Sequence, residues 1–296
     1  MTYIDLHLHS NCSDGVLEPQ KLVEVAQLAG LGVIALCDHD SISGVARALE
    51  AGQKLGVEVL AGVELSVVWR DWRDVHLLGY AIDIATPELV ERLAAFAQRR
   101  ANRNREIVLS VNRLLEQKNL QPLTFAEVEC LAEGVMGRPH IARALISRGY
   151  ATTMEDAFTR YLVPCDVPKT YWAMAEAIAT IRRAGGVAVL AHPTSISNDL
   201  PTLEAIITEL AAQGLDGLEV YNSMATEQEA AFLQRLANRL HLLVTAGSDF
   251  HGIDAADSIG KGRGGIRFSG ALLPPLRSLA AHRQQTVRSF PSVPGN

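Results

Sequence analysis

The amino-acid sequence predicts an α/β fold, a mostly parallel sheet or barrel interrupted by an all-helical insertion. Three observations predict it. Strand and helix signals alternate through the first 80 residues, as in βα units. From Thr86 to about Tyr161 the periodicity is helical throughout. Alternation then resumes and runs as far as "LLVTAGSDFH" at 242–251. A chain of 296 residues accommodates about two domains or one large α/β barrel.

Each element has its own signal. "TYIDLH" at 2–7 reads as a strand, and "EPQKLVEVAQLAGLG" at 18–32 as a helix with Pro19 near its start and Gly30 and Gly32 near its end. "VIALCDHD" at 33–40 is a second buried strand, and "SISGVARALEAGQKLG" at 41–56 a second helix. "VEVLAGVELSVV" at 57–68 and "DVHLLGYAI" at 74–82 are strands three and four, two extended arms around a short polar turn that suits a hairpin. Residues 86–119 form one long helix or two abutting ones, with further helices near 124–133, 139–148 and 154–162. Then come helix 173–184, strand "GVAVLAH", helix 202–213, strand "GLEVY", helix 226–239 and strand 242–251. The expected organisation is a first barrel segment at 1–99, a helical substrate cap at 100–167 and a second barrel segment at 168–296, ending in a loose tail, "RSFPSVPGN".

Composition excludes several classes. Hydrophobic residues make up 48% and charged residues 20%, enough for a sizeable core and too apolar for global disorder. No apolar run reaches the ~18 residues that span a bilayer, and the N-terminus has no basic region followed by an apolar stretch and a cleavage site. The four cysteines (Cys12, Cys37, Cys130, Cys165) are scattered without a CxxC, which suits reduced thiols in a cytoplasm. A net charge of −6 argues against stable duplex nucleic-acid binding. The charge is uneven: residues 99–149 carry +4 and the remainder −10. A basic segment beside an acidic body suits an anionic ligand.

The polar residues collect at strand ends. In "YIDLHLHSNCSDG" His7 and His9 are one residue apart, so they point to one face of a strand, and Asp14 follows in a polar turn. His39 ends strand two, Glu64 ends strand three, His192 follows the strand at 187–191, and Asp249 and His251 follow the one at 243–247. In α/β barrels the site lies at the C-terminal ends of the strands. His76 lies near the start of strand four, but a hairpin about Arg70–Asp71 sets it against Glu64. The set of His7, His9, Asp14, His39, Glu64, His76, His192, Asp249 and His251 is too large for one ion and suits two or three that share ligands. His140, His241 and His282 follow no strand end.

In order along the chain, "DLHLHSNCSDG", "CDHD", "AGVELS", "VHLLGY", "LAHP" and "GSDFHG" resemble the successive motifs of the PHP (polymerase and histidinol phosphatase) metal-dependent phosphoesterases. The resemblance implies a distorted seven-stranded (βα) TIM-like barrel with a trinuclear centre. It implies one ion on His7, His9, Glu64 and Asp249, a second on Glu64, His76 and His192, and a third on Asp14, His39 and His251. Manganese is the first expectation, with iron or zinc as alternatives. Glu64 is then the bridging carboxylate. The catalytic step is expected to rest on Glu64, Asp249, His192 and His251, with a hydroxide shared by the ions attacking phosphorus in line. Three dications bring about +6 against −3 from Asp14, Glu64 and Asp249, a positive pocket for a phosphomonoester dianion. Asp38 and Asp40 flank His39, either orienting it or serving as turn and cap.

The insertion, with "GRPHIARALISRG" at 137–149, further resembles the subgroup of nucleoside 3′,5′-bisphosphate phosphatases and 5′-to-3′ oligonucleotide exonucleases. Where that subgroup commonly has a "YLGxG"-like stretch, this chain reads "YLVPCDVPKTY". Pro139 suits the first turn of a helix, which leaves Arg138 beside a helix N-terminus that favours an anion. Arg138 is expected to bind a second substrate phosphate, with Arg103 and Lys169 as further candidates; His140 either assists or caps the helix. "GKGRGG" at 260–265 lacks P-loop spacing and reads as a mobile loop near the rim. The expected activity is removal of the 3′-phosphate of a nucleoside 3′,5′-bisphosphate, with short 5′-phosphorylated oligonucleotides as related substrates and no membrane partner. The alternatives are a histidinol-phosphate phosphatase or other small phosphomonoesterase, and a non-catalytic PHP module.

Overall fold

The computed structural model describes residues 2–131, 136–253 and 258–289. Residues 290–296 of the expected tail and part of the helix expected near 124–133 lie outside the described residues, and the first two residues of that tail, 288 and 289, continue the last helix instead. The chain divides into two compact units, one of Met1–Glu91 with Tyr171–Asn296 and one of Arg92–Thr170.

The first unit is built on one sheet: β1 (Tyr3–Leu8), β2 (Leu31–Leu36), β3 (Glu58–Trp69), β4 (Trp72–Tyr80), a two-residue β5 (Trp172–Ala173), β6 (Val187–Leu190), β7 (Gly217–Tyr221), β8 (Leu243–Ala246) and a short β9 (Phe268–Ser269). The strand order is β8-β7-β6-β4-β3-β2-β1-β9, with β5 on β3. The sheet curls toward closure. The Asp249 amide donates to the His7 carbonyl and the His9 amide to the Phe250 carbonyl, both at 3.0 Å, which joins the end of β1 to the segment after β8. The result is a mixed α/β barrel. It is less parallel than the alternation suggests, because β4 runs antiparallel to both β3 and β6. A hairpin reverses the chain at Arg70–Asp71 without a crossover helix, and β6 pairs with β4 only after the whole insertion has intervened.

The helices α1 (Pro19–Leu28), α2 (Val45–Leu55), α7 (Met174–Arg183), α8 (Leu200–Ala212), α9 (Glu227–Leu240) and α10 (Leu273–Ser289) belong to this unit. Their ends follow local chemistry. Pro19 opens α1, Gly56 closes α2 in the left-handed region, and Thr226 and Glu229 form a reciprocal box at the start of α9. Apolar residues of α1 and α2 bury Leu8, Ile34 and Leu36 on one side of the sheet. On the other, Ile4, Leu6, Val33, Tyr80 and Val189 pack with Leu273 and Leu276 of α10.

The second unit is helical and has its own core. The helix α3 (Pro87–Gln117) is continuous, so a single long helix replaces the two-helix alternative and carries the chain across the boundary expected at residue 100. It is followed by α4 (Phe125–Glu129), α5 (Arg138–Ser147), α6 (Met154–Ala157) and a π-helical turn at Phe158–Leu162. Ile107, Val111, Leu115, Ile141, Leu145 and Tyr161 form the buried cluster. No linker marks the start of this unit, which is why its limits differ by several residues from 100–167.

Candidate metal centre

Strand periodicity and two strained loop residues bring the ligand set together. His7 lies in β1 and His9 just beyond it, both fully buried with ring centroids 5.0 Å apart. His39 follows β2 and bridges in parallel to Glu64. Glu64 does not end β3: the strand continues into the hairpin, and Glu64 sits in its middle. In that hairpin Ser66 pairs with His76 and Glu64 with Leu78. His76 therefore reaches Glu64 diagonally, two residues along one face. His192 and Asp249 adopt positive φ, 25° and 59°, just after β6 and β8. Such values in non-glycine residues are held by surrounding contacts and concentrate at functional sites.

Glu64 is the hub. Its Oε2 lies 3.2 Å from His7 Nε2, 3.3 Å from His9 Nε2 and 3.1 Å from His39 Nδ1. Its Oε1 lies 3.1 Å from His76 Nδ1 and 3.3 Å from His192 Nε2. Asp249 Oδ1 adds contacts of 3.4 and 3.1 Å to His7 Nε2 and His9 Nε2. Half-exposed Asp14 stands 3.3 Å from His251 Nε2 and 3.7 Å from His39 Nε2. Three groups emerge. His7, His9, Glu64 and Asp249 converge, as do His9, Asp14, His39 and His251. The third is His39, Glu64 and His76, and His192 adjoins it, its Nε2 3.3 Å from both His76 Nδ1 and Glu64 Oε1. All nine sequence candidates thus meet in one place; His9 and His39 stand between groups rather than within one.

The donor chemistry fits cations. His7 Nε2, His9 Nε2 and Glu64 Oε2 are buried without a hydrogen-bond partner although they lie within 3.3 Å of one another's atoms. Groups this close that form no N–H···O line are arranged as converging lone pairs, and orphaned buried polar atoms are otherwise costly. Charge agrees. Burial opposes ionisation of Glu64, but His39, His7 and His76 together hold its carboxyl well below the usual range. Asp249 is likewise held low, against its burial, chiefly by His7 and His9. Burial pushes His39 down to about 3 against the pull of Glu64, while the facing carboxylates outweigh burial at His7 and His9 and hold both above their ordinary value. The far ring nitrogens are tied: His192 Nδ1 to Ser195 Oγ at 2.9 Å, and His251 Nδ1 to the Asp249 carbonyl at 2.8 Å. Each leaves Nε2 as the atom turned to the site.

Beneath the ligands runs a layer of buried carboxylates that strand periodicity alone does not single out. Asp5 accepts from Ser248 N and Oγ and from Gly260 N. Asp38 accepts from Ser10 N and Oγ and from Ser13 Oγ, and Asp40 from Ser66 N and Oγ. Each ties the end of one strand to its neighbour. Glu219 in β7 accepts from His7 Nδ1 and from the His192 amide, both at 2.9 Å. The signal for these residues is an acid inside an apolar strand, as in "YIDLH" and "GLEVY", since burying a charge requires partners. In the "GKGRGG" stretch the Gly260 amide donates to Asp5, and Arg263 donates to the Asn222 and Met224 carbonyls.

In the helical unit, Arg103 Nη2 and Arg138 Nη1 reach the same oxygen, Asp166 Oδ1, at 2.9 and 3.1 Å. Arg103 Nε also donates to the Val167 carbonyl at 2.6 Å, and the Arg138 guanidinium lies 5.7 Å from the Phe158 ring centre. His140 Nδ1 accepts the Gly137 amide at 2.9 Å, so the ring caps α5. Lys169 is exposed in the segment that follows. The four cysteines carry free thiols. No helix among the described residues is long and apolar enough to cross a membrane.

The family model described as "PHP domain" matches residues 5–162. A 5′-3′ exoribonuclease of Haemophilus influenzae is 36% identical over 83% of this chain and 89% of its own. A 3′,5′-nucleoside bisphosphate phosphatase of Chromobacterium violaceum is 32% identical over 85% of this chain and 88% of its own. A crystal structure of a candidate metal-dependent phosphoesterase from Bifidobacterium adolescentis superimposes with a TM-score of 0.78 at 30% identity, covering 94% of this chain and 96% of the other.

Proposed function

The chain belongs to the PHP-domain family of metal-dependent phosphoesterases, and on that footing we propose that it hydrolyses the 3′-phosphate of nucleoside 3′,5′-bisphosphates to give 5′-nucleotides. His7, His9, Glu64 and Asp249 would hold one divalent ion, Glu64, His76 and His192 a second, and Asp14, His39 and His251 a third. Ions held there supply positive charge against the phosphoryl oxygens and lower the pKa of water toward neutrality. The protein's own part is to fix the ligand atoms, through the tied Nδ1 atoms of His192 and His251 and the clamp on His7. Burial of Glu64 and its imidazoles keeps that charge in a medium of low dielectric.

The observation that carries the substrate reading is the arginine pair of the helical unit. Two guanidiniums that meet on one carboxylate oxygen can meet on a phosphate oxygen. We assign Arg138 and Arg103, with Lys169, to the phosphate that is not cleaved. Short 5′-phosphorylated oligonucleotides present the same group, and the exoribonuclease relative favours them as a second substrate class.

The test is phosphate release by the Mn-loaded chain from adenosine 3′,5′-bisphosphate, beside 5′-AMP, 3′-AMP and histidinol phosphate, with release of 5′-mononucleotide followed for a short 5′-phosphorylated oligonucleotide. The bisphosphate is expected to be turned over fastest, with 5′-AMP accumulating. Equal turnover of histidinol phosphate would remove the nucleotide assignment. Arg138→Ala is expected to raise KM for the bisphosphate about 10- to 100-fold, the loss of a charge-assisted contact of roughly 1.5–3 kcal/mol, and to leave 3′-AMP nearly unaffected. Asp166 occupies the arginine pair and competes with phosphate for it. Asp166→Asn is therefore expected to lower KM for the bisphosphate several-fold; a raised KM would mean that Asp166 holds the arginines in place instead.

A further inference from the structure

His7 stands in β1 and His192 just after β6, and β7 grips both. Glu219 of β7 is fully buried. Its Oε1 lies 2.9 Å from His7 Nδ1, and its Oε2 accepts the His192 backbone N–H at 2.9 Å. The His7 ring has only two nitrogens. With the proton on Nδ1 shared to Glu219, Nε2 presents a lone pair, and Nε2 is the atom that faces Glu64 and Asp249 without a hydrogen-bond partner. At the other end the His192 backbone is held at φ 25° and ψ 64°, a conformation that a non-glycine residue keeps only when its surroundings enforce it. The amide bond to Glu219 is one such enforcement. Space is cleared for the carboxylate by Gly247, where a Cβ would come within 2.8 Å of Glu219 Oε1 and 2.2 Å of His7 Cβ.

We propose that Glu219 is a positioning residue that sets the tautomer of His7 and the backbone of His192 at once, coupling two groups of the metal centre through β7. The inference rests on the phosphoesterase reading of this centre but not on its substrate. A carboxylate is required because both partners are donors. Glutamine offers one acceptor oxygen and one N–H₂. If its oxygen keeps the His192 amide, its nitrogen donates to His7 Nδ1 and drives the ring proton onto Nε2, the ligand atom. If its oxygen keeps His7, the His192 amide faces another donor.

The experiment is Mn²⁺ binding by the full-length Glu219→Gln chain, by competition with a chelating dye and by metal content after dialysis, beside the wild type. Affinity is expected to fall about 10- to 100-fold, the usual effect of losing the partner of a ligating histidine. The helical circular dichroism should be retained, and kcat for the bisphosphate should fall with little change in KM. Binding at wild-type affinity and stoichiometry would overturn the proposal. A second measurement does not depend on the variant folding: long-range ¹H–¹⁵N correlation spectra of the Zn-loaded wild type should place the His7 proton on Nδ1, and a proton on Nε2 would overturn it. A wild type that binds metal as expected but releases no phosphate from nucleotides would refute the substrate reading and leave the role of Glu219 standing.

Discussion

Glu64→Gln is expected to lower phosphate release by about 10³-fold or more and to strip metal from the protein. Five imidazole nitrogens, from His7, His9, His39, His76 and His192, lie between 3.1 and 3.3 Å from its two oxygens. A carboxamide keeps the shape but replaces one oxygen with an N–H₂ that points at atoms meant to carry lone pairs. It also removes one of three carboxylates that balance the bound charge. A metal site contributes several kcal/mol of charge stabilisation to a transition state, and each 1.36 kcal/mol is tenfold in rate. Metal content per chain and kcat for the bisphosphate, measured on the same preparation, check this. A Glu64→Gln chain that keeps its metal and its rate would remove Glu64 as the bridge.

Gly247→Ala is expected to be among the most damaging single-methyl additions in the barrel. The new Cβ would stand 2.2 Å from His7 Cβ, 2.7 Å from His7 N and 2.8 Å from Glu219 Oε1. None of these can easily yield. The His7 amide is bonded to Asp5, its carbonyl accepts from Asp249, and Glu219 is held at both oxygens. Overpacking a rigid core costs about 1–3 kcal/mol and sometimes more; here the upper end applies, roughly 6–12 °C in Tm for a chain of this size. Metal affinity should fall as well, since the displaced groups are a ligand and its anchor. Gly264→Ala is the control. Nothing lies within 4 Å of the Cβ it would add, so only the left-handed backbone at φ 72° resists, a cost of about 1–2 kcal/mol. Thermal melts of the two variants with and without Mn²⁺ separate the effects; equal, small shifts would show that β8 gives way at Gly247.

The barrel and the converging ligands were legible because two periodicities carry them. Alternation within β1 places His7 and His9 on one face, and alternation of strand with helix sends the strand ends to one rim. The hairpin was legible from two apolar arms about Arg70–Asp71, and it explains how His76 joins a set built otherwise from strand ends. Glu219 was not legible as a participant. "GLEVY" carries one acid in a buried strand, and nothing local says that its oxygens are claimed by β1 and by the residue after β6. Asp5 was hidden in the same way, and with it the bond from the Gly260 amide. In the insertion Arg138 and Arg103 stood out by charge, but their shared partner Asp166 did not, because it lies in an irregular segment with no period to read. What a sequence conceals here is pairing across strands and loops; what it displays is repetition along them.

If these nine residues form a metal centre that hydrolyses phosphate esters, phosphate release must depend on divalent ions bound there. The measurement that tests it most directly is phosphate release from adenosine 3′,5′-bisphosphate by the chelator-stripped chain as Mn²⁺ is restored. No release is expected at the start, followed by a rise that saturates at about three ions per chain, a number that nine shared ligands suit. Release that survives stripping, or that no divalent ion restores in a folded chain, would contradict it.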